Sequence, residues 1–343
     1  MDKLAEAILK DAQVICQKIN FKELLGKKIL ITGASGLVGN YFLATLKILA
    51  TKNPGKIQTT AITHNELFPY QKYLLDYQGA NILQGDLADY NFCKNLPSAD
   101  YIIHAAGYGQ PGRFLEDPVK TLKINTLATF ALLEKLPPKG KFLFISTSEV
   151  YSGLTTPPHK EEEIGTTNLA HPRSCYIEAK KCGEAICNAY RAKGIAAKSA
   201  RLCLAYGPGT KPNDQRVINS FIQKALQGKI NLLDQGQAKR TYYYIADAVE
   251  TLWKILLLGK EPVYNVSGET KITIKELAQK IGKYLDAPVI LPKNTGHKIT
   301  GAPEEVWLDT TMAQKEFGKI KYVSLDEGLK KTIKWQKELY KNN

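Results

Sequence analysis

The sequence predicts an α/β fold, a doubly wound parallel sheet with a smaller α/β domain toward the C-terminus. Three observations predict it. Short apolar runs of strand character alternate with longer stretches of helical periodicity. A glycine-rich turn, Gly33 to Gly39, stands between the first such run and the first such helix. From about residue 205 the alternation gives way to a Gly/Pro-rich loop followed by mixed pieces.

Residues 3 to 20 place apolar side chains at Leu4, Ile8, Ala12, Ile15 and Ile19. That spacing predicts an amphipathic helix ahead of the main fold, packed on the body or on a partner subunit. The core opens with a strand over 28–32, the glycine turn, and a helix over about 38–50. Further strands are expected over 59–63, 81–84, 101–104, 141–146 and 197–203, with helices over 117–135 and 174–193. Gly207, Pro208, Gly209 and Pro212 mark a long loop. The expected division is an extension over 1–26 and a first domain over 27–204 with a return segment near 241–262. The smaller domain takes 205–240 and 263–343.

The 343 residues carry a formal net charge of +14, which suits an anionic partner. Lysines are spread along the chain, with no dense basic run and no aromatic–basic alternation, so nucleic acid is not expected. No apolar run reaches the roughly 18–20 residues a membrane span needs, and the polar N-terminus lacks a signal-peptide core. A cytoplasmic protein with no membrane partner is expected. The six cysteines form no C-x-x-C pair and the five histidines no metal-ligand spacing, so no metal is expected. Arginine is scarce: Arg113, Arg173, Arg191, Arg201, Arg216 and Arg240. A chain that otherwise uses lysine keeps arginine where a planar, bidentate phosphate contact is needed.

The glycines of Gly33-Ala34-Ser35-Gly36-Leu37-Val38-Gly39 let the backbone turn tightly and approach a pyrophosphate facing a helix N-terminus. An acid at the end of the second strand ordinarily binds the adenosine ribose; here Thr63 holds that position. His64 follows it and is placed to approach a 2′-phosphate, which leaves both NAD and NADP open.

Tyr176 and Lys180 lie four apart on a predicted helix, hence on one face. A nearby ammonium stabilises a phenolate and lowers the Tyr pKa, which suits Tyr176 to act as a base. Tyr90 and Lys94 show the same spacing by chance. Thr147, Ser148 and Glu149 run off the end of a predicted strand, where ligands of a parallel sheet sit. The structural alternative for that cluster is a helix cap.

These residues resemble the extended short-chain dehydrogenase/reductase family from about residue 27 to 338. The resemblance extends through Gly85-Asp86-Leu87, His104-Ala105-Ala106-Gly107, Asn125, Tyr151, Arg201, Tyr206-Gly207-Pro208-Gly209, Asp247 and Tyr264-Asn265-Val266. It implies a Rossmann-type first domain and a nucleotide-sugar-binding cap. It implies a cofactor site of Gly33, Ser35, Gly36, Leu37, Val38, Gly39, Thr63, His64, Asp86, Leu87, Ala105, Ala106, Gly107 and Asn125, with Tyr176 and Lys180. Catalysis falls to Thr147, Ser148, Glu149, Tyr176 and Lys180. Thr147, Leu204, Arg216, Val217 and Arg240 are implied on the substrate side, and Arg113 is the candidate cation for a substrate carboxylate. Thr-Ser-Glu-Val-Tyr, Cys175-Tyr176, the run from Arg216 to Ile222 and Arg240 are similar to the branch that decarboxylates UDP-glucuronate. A UDP-hexuronate decarboxylase using NAD is therefore expected, with 4,6-dehydration and 4-epimerisation as alternative reactions. Non-catalytic dinucleotide-binding regulators of this fold usually lose the Tyr or the Lys; this chain keeps both. Three positions depart from the family pattern: Thr63 for the acid, Leu204 for an Asn, and the segment 108–114 near the sugar. The resemblance also implies a homodimer through the helices over 117–135 and 174–193.

Overall fold

The chain alternates strand and helix through its first two hundred residues, and the strands assemble into one parallel sheet. The computed structural model describes residues 2–212, 214–293, 305–319 and 321–341; the rest, including 294–304 of the expected smaller domain, lie outside the described residues. The strands are β1 Lys27–Thr32, β2 Ile57–Thr63, β3 Ala80–Gln84, β4 Tyr101–His104, β5 Lys141–Thr147, β6 Ala196–Leu202, β7 Leu204–Tyr206, β8 Ile230–Asn231, β9 Lys239–Tyr244, β10 Val263–Val266, β11 Lys271–Thr273, β12 Val289–Ile290 and β13 Glu305–Val306. The first seven helices are α1 Lys3–Lys18, α2 Leu37–Lys52, α3 Pro69–Leu74, α4 Tyr90–Lys94, α5 Pro111–Glu116, α6 Pro118–Asn125 and α7 Leu127–Leu133. Then come α8 Ser174–Ala192, α9 Val217–Leu226, α10 Ile245–Leu258, α11 Ile274–Leu285, α12 Thr311–Phe317 and α13 Leu325–Lys341.

The main sheet has the order β10-β6-β5-β4-β1-β2-β3, with every pairing parallel. Parallel strands need crossover helices, and helices on both faces bury both faces of the strands. β1 shows the consequence. Its side chains alternate, so Ile29 and Ile31 enter one core and Leu30 the other.

The smaller sheet runs β11-β9-β13, with β7 also paired to β9. β7 follows β6 after a single residue, so the chain leaves the main sheet near the expected boundary at 204. The return goes further than the expected 241–262: β10 pairs with β6 and closes the main sheet as an edge strand. The helix expected over 117–135 is broken at Thr126 (φ −115°, ψ −72°) into α6 and α7. Around the break, Thr121, Asn125, Thr126 and Thr129 each donate to the carbonyl four residues back. Such back-bonding competes with the helical ladder and bends it.

α1 packs on the body of its own chain, against α2, α3, α10 and α13. Asp2 caps it, accepting from the Leu4 and Ala5 amides at 2.8 and 3.3 Å. Its buried face, Leu4, Ile8, Ala12 and Ile15, also carries a carboxylate, Asp11. Asp11 accepts from the hydroxyls of Tyr41 on α2 and Tyr244 on β9 at 3.0 and 2.5 Å, and from Lys331 on α13 at 3.3 Å. One buried side chain thus ties the extension to α2 beside the main sheet, to β9 of the smaller sheet and to α13. Asp11→Ala leaves two buried phenols without their acceptor and is expected to cost about 2–4 kcal/mol in urea unfolding. A loss within about 0.5 kcal/mol, the range of ordinary surface substitutions, would show that the cluster is not a clamp.

Candidate active site

The expected cofactor residues gather at the carboxyl ends of β1 to β4, where a parallel sheet presents its ligand crevice. The turn after β1 leads into α2, whose N-cap is Gly36, a residue with no side chain to cap the helix. The first amides of α2 are therefore left for an anion. Gly33 has φ +66°, and a Cβ there would lie 2.5 Å from the Ala105 carbonyl oxygen. Only glycine lets β1 and the β4 loop approach this closely. Gly107, at φ +148°, leaves room that a Cβ would fill 3.5 Å from both Asn125 Oδ1 and Lys180 Nζ. Asn125 Oδ1 is buried and has no partner among the described residues, although its amide donates to the Thr121 carbonyl. A cradle of amides with an orphaned buried acceptor beside it fits a dinucleotide.

Thr63 is buried at the end of β2, and His64 after it is exposed. Asp86 is brought beside that corner, since the Gly85 amide donates to the Thr63 carbonyl at 2.9 Å and the His64 charge acts on Asp86. Lys120 holds Asp86 at 2.7 Å. Partial burial raises the Asp86 carboxyl, but the hydrogen bonds from Lys120 and the Ala88 amide, with the charges of Lys120 and His64, bring it below its usual value.

His104, at the end of β4, is fully buried and neutral. Burial, reinforced by the Lys180 charge, brings it down to about 3. Its Nδ1 lies 2.7 Å from Thr32 Oγ1, which itself accepts from the Ala106 amide at 3.2 Å. Nδ1 is thus the acceptor, and Nε2–H donates to the Ile124 carbonyl at 3.1 Å. This bridge fixes the β1 and β4 ends and α6 in one arrangement.

Thr147 ends β5, and Ser148–Tyr151 form a 3₁₀ turn. Thr147 accepts from the Glu149 amide at 3.2 Å. The capping role that competed with a catalytic one is therefore realised, and the same cluster still faces Tyr176. Tyr176 and Lys180 are buried on α8, as their spacing predicts, and Lys180 donates to the Ile145 carbonyl at 2.7 Å. Their electrostatics differ from the expected ammonium-stabilised phenolate. Burial and the Glu149 carboxylate hold the Tyr176 phenol up at about 12, against the Thr147 hydrogen bond and the Arg173 and Arg216 charges. Burial brings Lys180 down to about 7, opposed by Glu184.

Arg173 makes a two-pronged pair with Glu149, its Nε donating to Oε2 at 3.2 Å and its Nη2 to Oε1. Its guanidinium lies 5.5 Å from the Phe114 ring centre, and Phe114 stacks on Tyr176 at 4.7 Å and 5°. Arg240 on β9 belongs to the same cluster. Burial and the Arg173 charge lower it, and Tyr242, Glu149 and Asp234 oppose them.

The scarce arginines do not all stand as free phosphate contacts. Arg201 on β6 is buried against Glu184 of α8, at 2.8 Å for Nη2–Oε2, and donates to Tyr151 and the Glu161 carbonyl at 2.7 and 2.9 Å. Ser146 donates to Glu184 at 2.5 Å, and Tyr151 to Asn265 of β10 at 2.7 Å. Arg216, the N-cap of α9 ahead of Val217, holds the buried Asp214 at 2.5 Å. Arg191 donates to the Lys260 carbonyl at the surface. Arg113 is exposed on α5, and Leu204 is exposed on β7. Sequence reasoning missed Phe114 and the pairing of Arg173. Arginine scarcity had singled out Arg173, but nothing in the sequence marked Phe114 as the cover of Tyr176.

Among the described residues no cluster of His, Cys, Asp and Glu could hold a metal ion, and all six cysteines are free thiols. Among the described residues no helix is long and apolar enough to cross a membrane. A family model described as the NAD dependent epimerase/dehydratase family matches residues 29–267. The chain is 28% identical over 323 residues to UDP-glucuronic acid decarboxylase 1 of Xenopus tropicalis, covering 91% of this chain and 73% of that one. DesIV, a dTDP-glucose 4,6-dehydratase from Streptomyces venezuelae solved with NAD and TYD bound, superposes with a TM-score of 0.77 at 22% identity, covering 91% of this chain and 97% of that one. A UDP-glucuronic acid 4-epimerase from Bacillus cereus, solved with UDP-glucuronic acid and NAD, gives 0.74 at 24% identity, covering 91% and all of the two chains.

The depressed Lys180 makes stability depend on pH in a defined direction. Between about pH 7 and the usual lysine value near 10.5, the unfolded chain binds a proton at Lys180 that the folded chain does not. Stability contributed by this group therefore rises with pH across that window. Urea unfolding of the wild type and Lys180→Met, at steps from pH 7 to pH 10, should show the wild type gaining relative to the variant. Parallel curves would refute the depressed value.

Proposed function

The chain belongs to the NAD dependent epimerase/dehydratase family, and from that premise we propose that it decarboxylates a UDP-hexuronate such as UDP-glucuronate. NAD fits the cradle after β1 better than NADP, because the side chains at the ribose corner include the carboxylate of Asp86. Gly33 to Gly39, Ala105 to Gly107, Asn125, Tyr176 and Lys180 would hold it. The observation that carries the choice of substrate is the pair of guanidinium groups around Glu149: Arg173 is bound to it, and Arg240 feels its charge and that of Arg173. A sugar that brings its own carboxylate to this corner finds cations for it. Arg113, the cation expected from sequence, is less suited, being exposed.

NAD held there would supply a reversible hydride exchange at sugar carbon 4. Tyr176 would take the proton of the carbon-4 hydroxyl as a phenolate, a form that burial and Glu149 oppose in the free protein and that the positive charge of bound NAD would favour. Thr147 would donate a hydrogen bond to the oxygen of the resulting ketone. The 4-keto acid then breaks its C5–C6 bond; carbon dioxide leaves, and the electron pair passes to the carbon-4 oxygen as an enolate. A proton drawn from solvent adds at carbon 5 and restores the ketone, with Glu149 and Ser148 positioning the group, and Tyr176 gives its proton back to the carbon-4 oxygen as the hydride returns. A dehydratase needs Glu149 free to remove the carbon-5 proton, whereas here Arg173 engages both its oxygens.

The proposed assembly is a homodimer. Leu122, Leu127 and Phe130 of α6 and α7 are exposed apolar residues on the expected face, next to Tyr190 of α8. A monomer in sedimentation at micromolar concentration would contradict it.

Mass spectrometry of the products from UDP-glucuronate with NAD⁺ tests the reaction. Loss of carbon dioxide is expected, reduced about 10²-fold or more in Tyr176→Phe. Inert UDP-glucuronate, with water lost from UDP-, dTDP- or GDP-hexoses instead, would replace decarboxylation by 4,6-dehydration.

A further inference from the structure

The loop after β7 lies across the glycine turn. Asn40 of α2 donates to the Gly209 carbonyl at 2.8 Å. Gln71 joins Asn40 to the turn, donating to Asn40 Oδ1 at 3.0 Å and to the Ser35 carbonyl at 2.9 Å. Two residues beyond Gly209, Lys211 reaches Ser35 itself, with Nζ 3.3 Å from the serine hydroxyl. That hydroxyl is the one partner of the ammonium within hydrogen-bonding distance among the described residues. Asp214, the carboxylate whose charge acts on Lys211, is committed to Arg216 through both oxygens. Beside Lys211, Thr210 buries a hydroxyl with no partner among the described residues.

A partly buried ammonium without a carboxylate, set over a helix N-terminus and a glycine turn, is an arrangement that an anion completes. Burial and the Arg113 charge disfavour its protonated form, against Asp214, so the protein itself does not compensate the charge. We infer that Lys211 is a phosphate-binding residue of the dinucleotide site, supplied by the loop after β7 rather than by the glycine turn. This rests on the reading of the turn as the NAD cradle. Its consequence is that the loop leading into Arg216 and α9, on the substrate side, is held in place by the cofactor's phosphate. The phosphate is either the pyrophosphate common to all dinucleotides or the 2′-phosphate of NADP.

Titration calorimetry of the full chain, freed of copurified dinucleotide, tests this with NAD⁺, NADP⁺, ADP and adenosine. Lys211→Met should weaken NAD⁺ and ADP by about 10-fold or more, the scale of one charge-assisted hydrogen bond. Adenosine, which has no phosphate, should bind both proteins alike, showing that the variant's site is folded. Lys211→Arg should stay within a few-fold of wild type. A loss confined to NADP⁺ would identify the 2′-phosphate as the partner. Equal binding of all three phosphates by wild type and Lys211→Met would overturn the inference while leaving the dinucleotide reading intact. A wild-type chain that binds neither dinucleotide would overturn both.

Discussion

The ion pair between Arg201 and Glu184 is the constraint on which the site depends. Both groups are buried, and each is costly to remove from water. The cost is met by filling every direction around them. Glu184 accepts from Ser146 at the end of β5, and Arg201 donates to Tyr151 and the Glu161 carbonyl, while Tyr151 reaches Asn265 on β10. Glu184 lies on the helix of Tyr176 and Lys180, and Ser146 immediately precedes Thr147. The pair therefore sets the distance between the two halves of the proposed catalytic group. Removing either partner would leave the other charge buried and unpaired, which typically costs about 3–5 kcal/mol.

A second constraint acts on the cofactor side. Gly33 permits β1 and β4 to approach closely, and His104 locks the approach by bonding to Thr32 and the Ile124 carbonyl. A charged His104 would place a cation beside Lys180 and lose its acceptor at Nδ1. The neutral ring accordingly supports a rigid floor and stays apart from proton transfer. Rigidity here has a chemical purpose, since reacting groups displaced by a fraction of an ångström lose much of their advantage.

The main sheet was legible because its determinants are local: apolar runs, the glycine turn and the four-residue spacing of Tyr176 and Lys180. The break at Thr126 was not, because it arises from several side chains turning back on the helix together. β10 was assigned to the smaller domain because its run is short and its partner, β6, is some sixty residues earlier in the chain. Similarly, the Gly33 approach and the Tyr–Lys face could be read from spacing, whereas the charge on Tyr176 could not. Spacing placed an ammonium near the phenol, but burial depends on the whole fold and outweighs it for both groups. Phe114 escaped notice for a related reason. Its role comes from stacking against a residue sixty-two positions away, and no local pattern records that.

The arginines show how such a site stays folded around anion-binding groups. Arg173 and Arg216 are both occupied by carboxylates of their own chain, Glu149 and Asp214. An isolated buried guanidinium would be expensive, so an internal carboxylate holds each in readiness. A ligand that brings a carboxylate or diphosphate must then compete with a partner already in place. Binding is an exchange of one ion pair for another, and the net gain is smaller than the contact alone suggests. Exchange favours specificity over affinity, because only an anion of matching shape and position recovers what the internal pair gives up. In the same way, Glu149 can be released to the chemistry only when something else satisfies Arg173. In the proposed reaction a substrate carboxylate would do this where a neutral hydroxymethyl group would not, so the internal pair would itself discriminate between a hexuronate and a hexose.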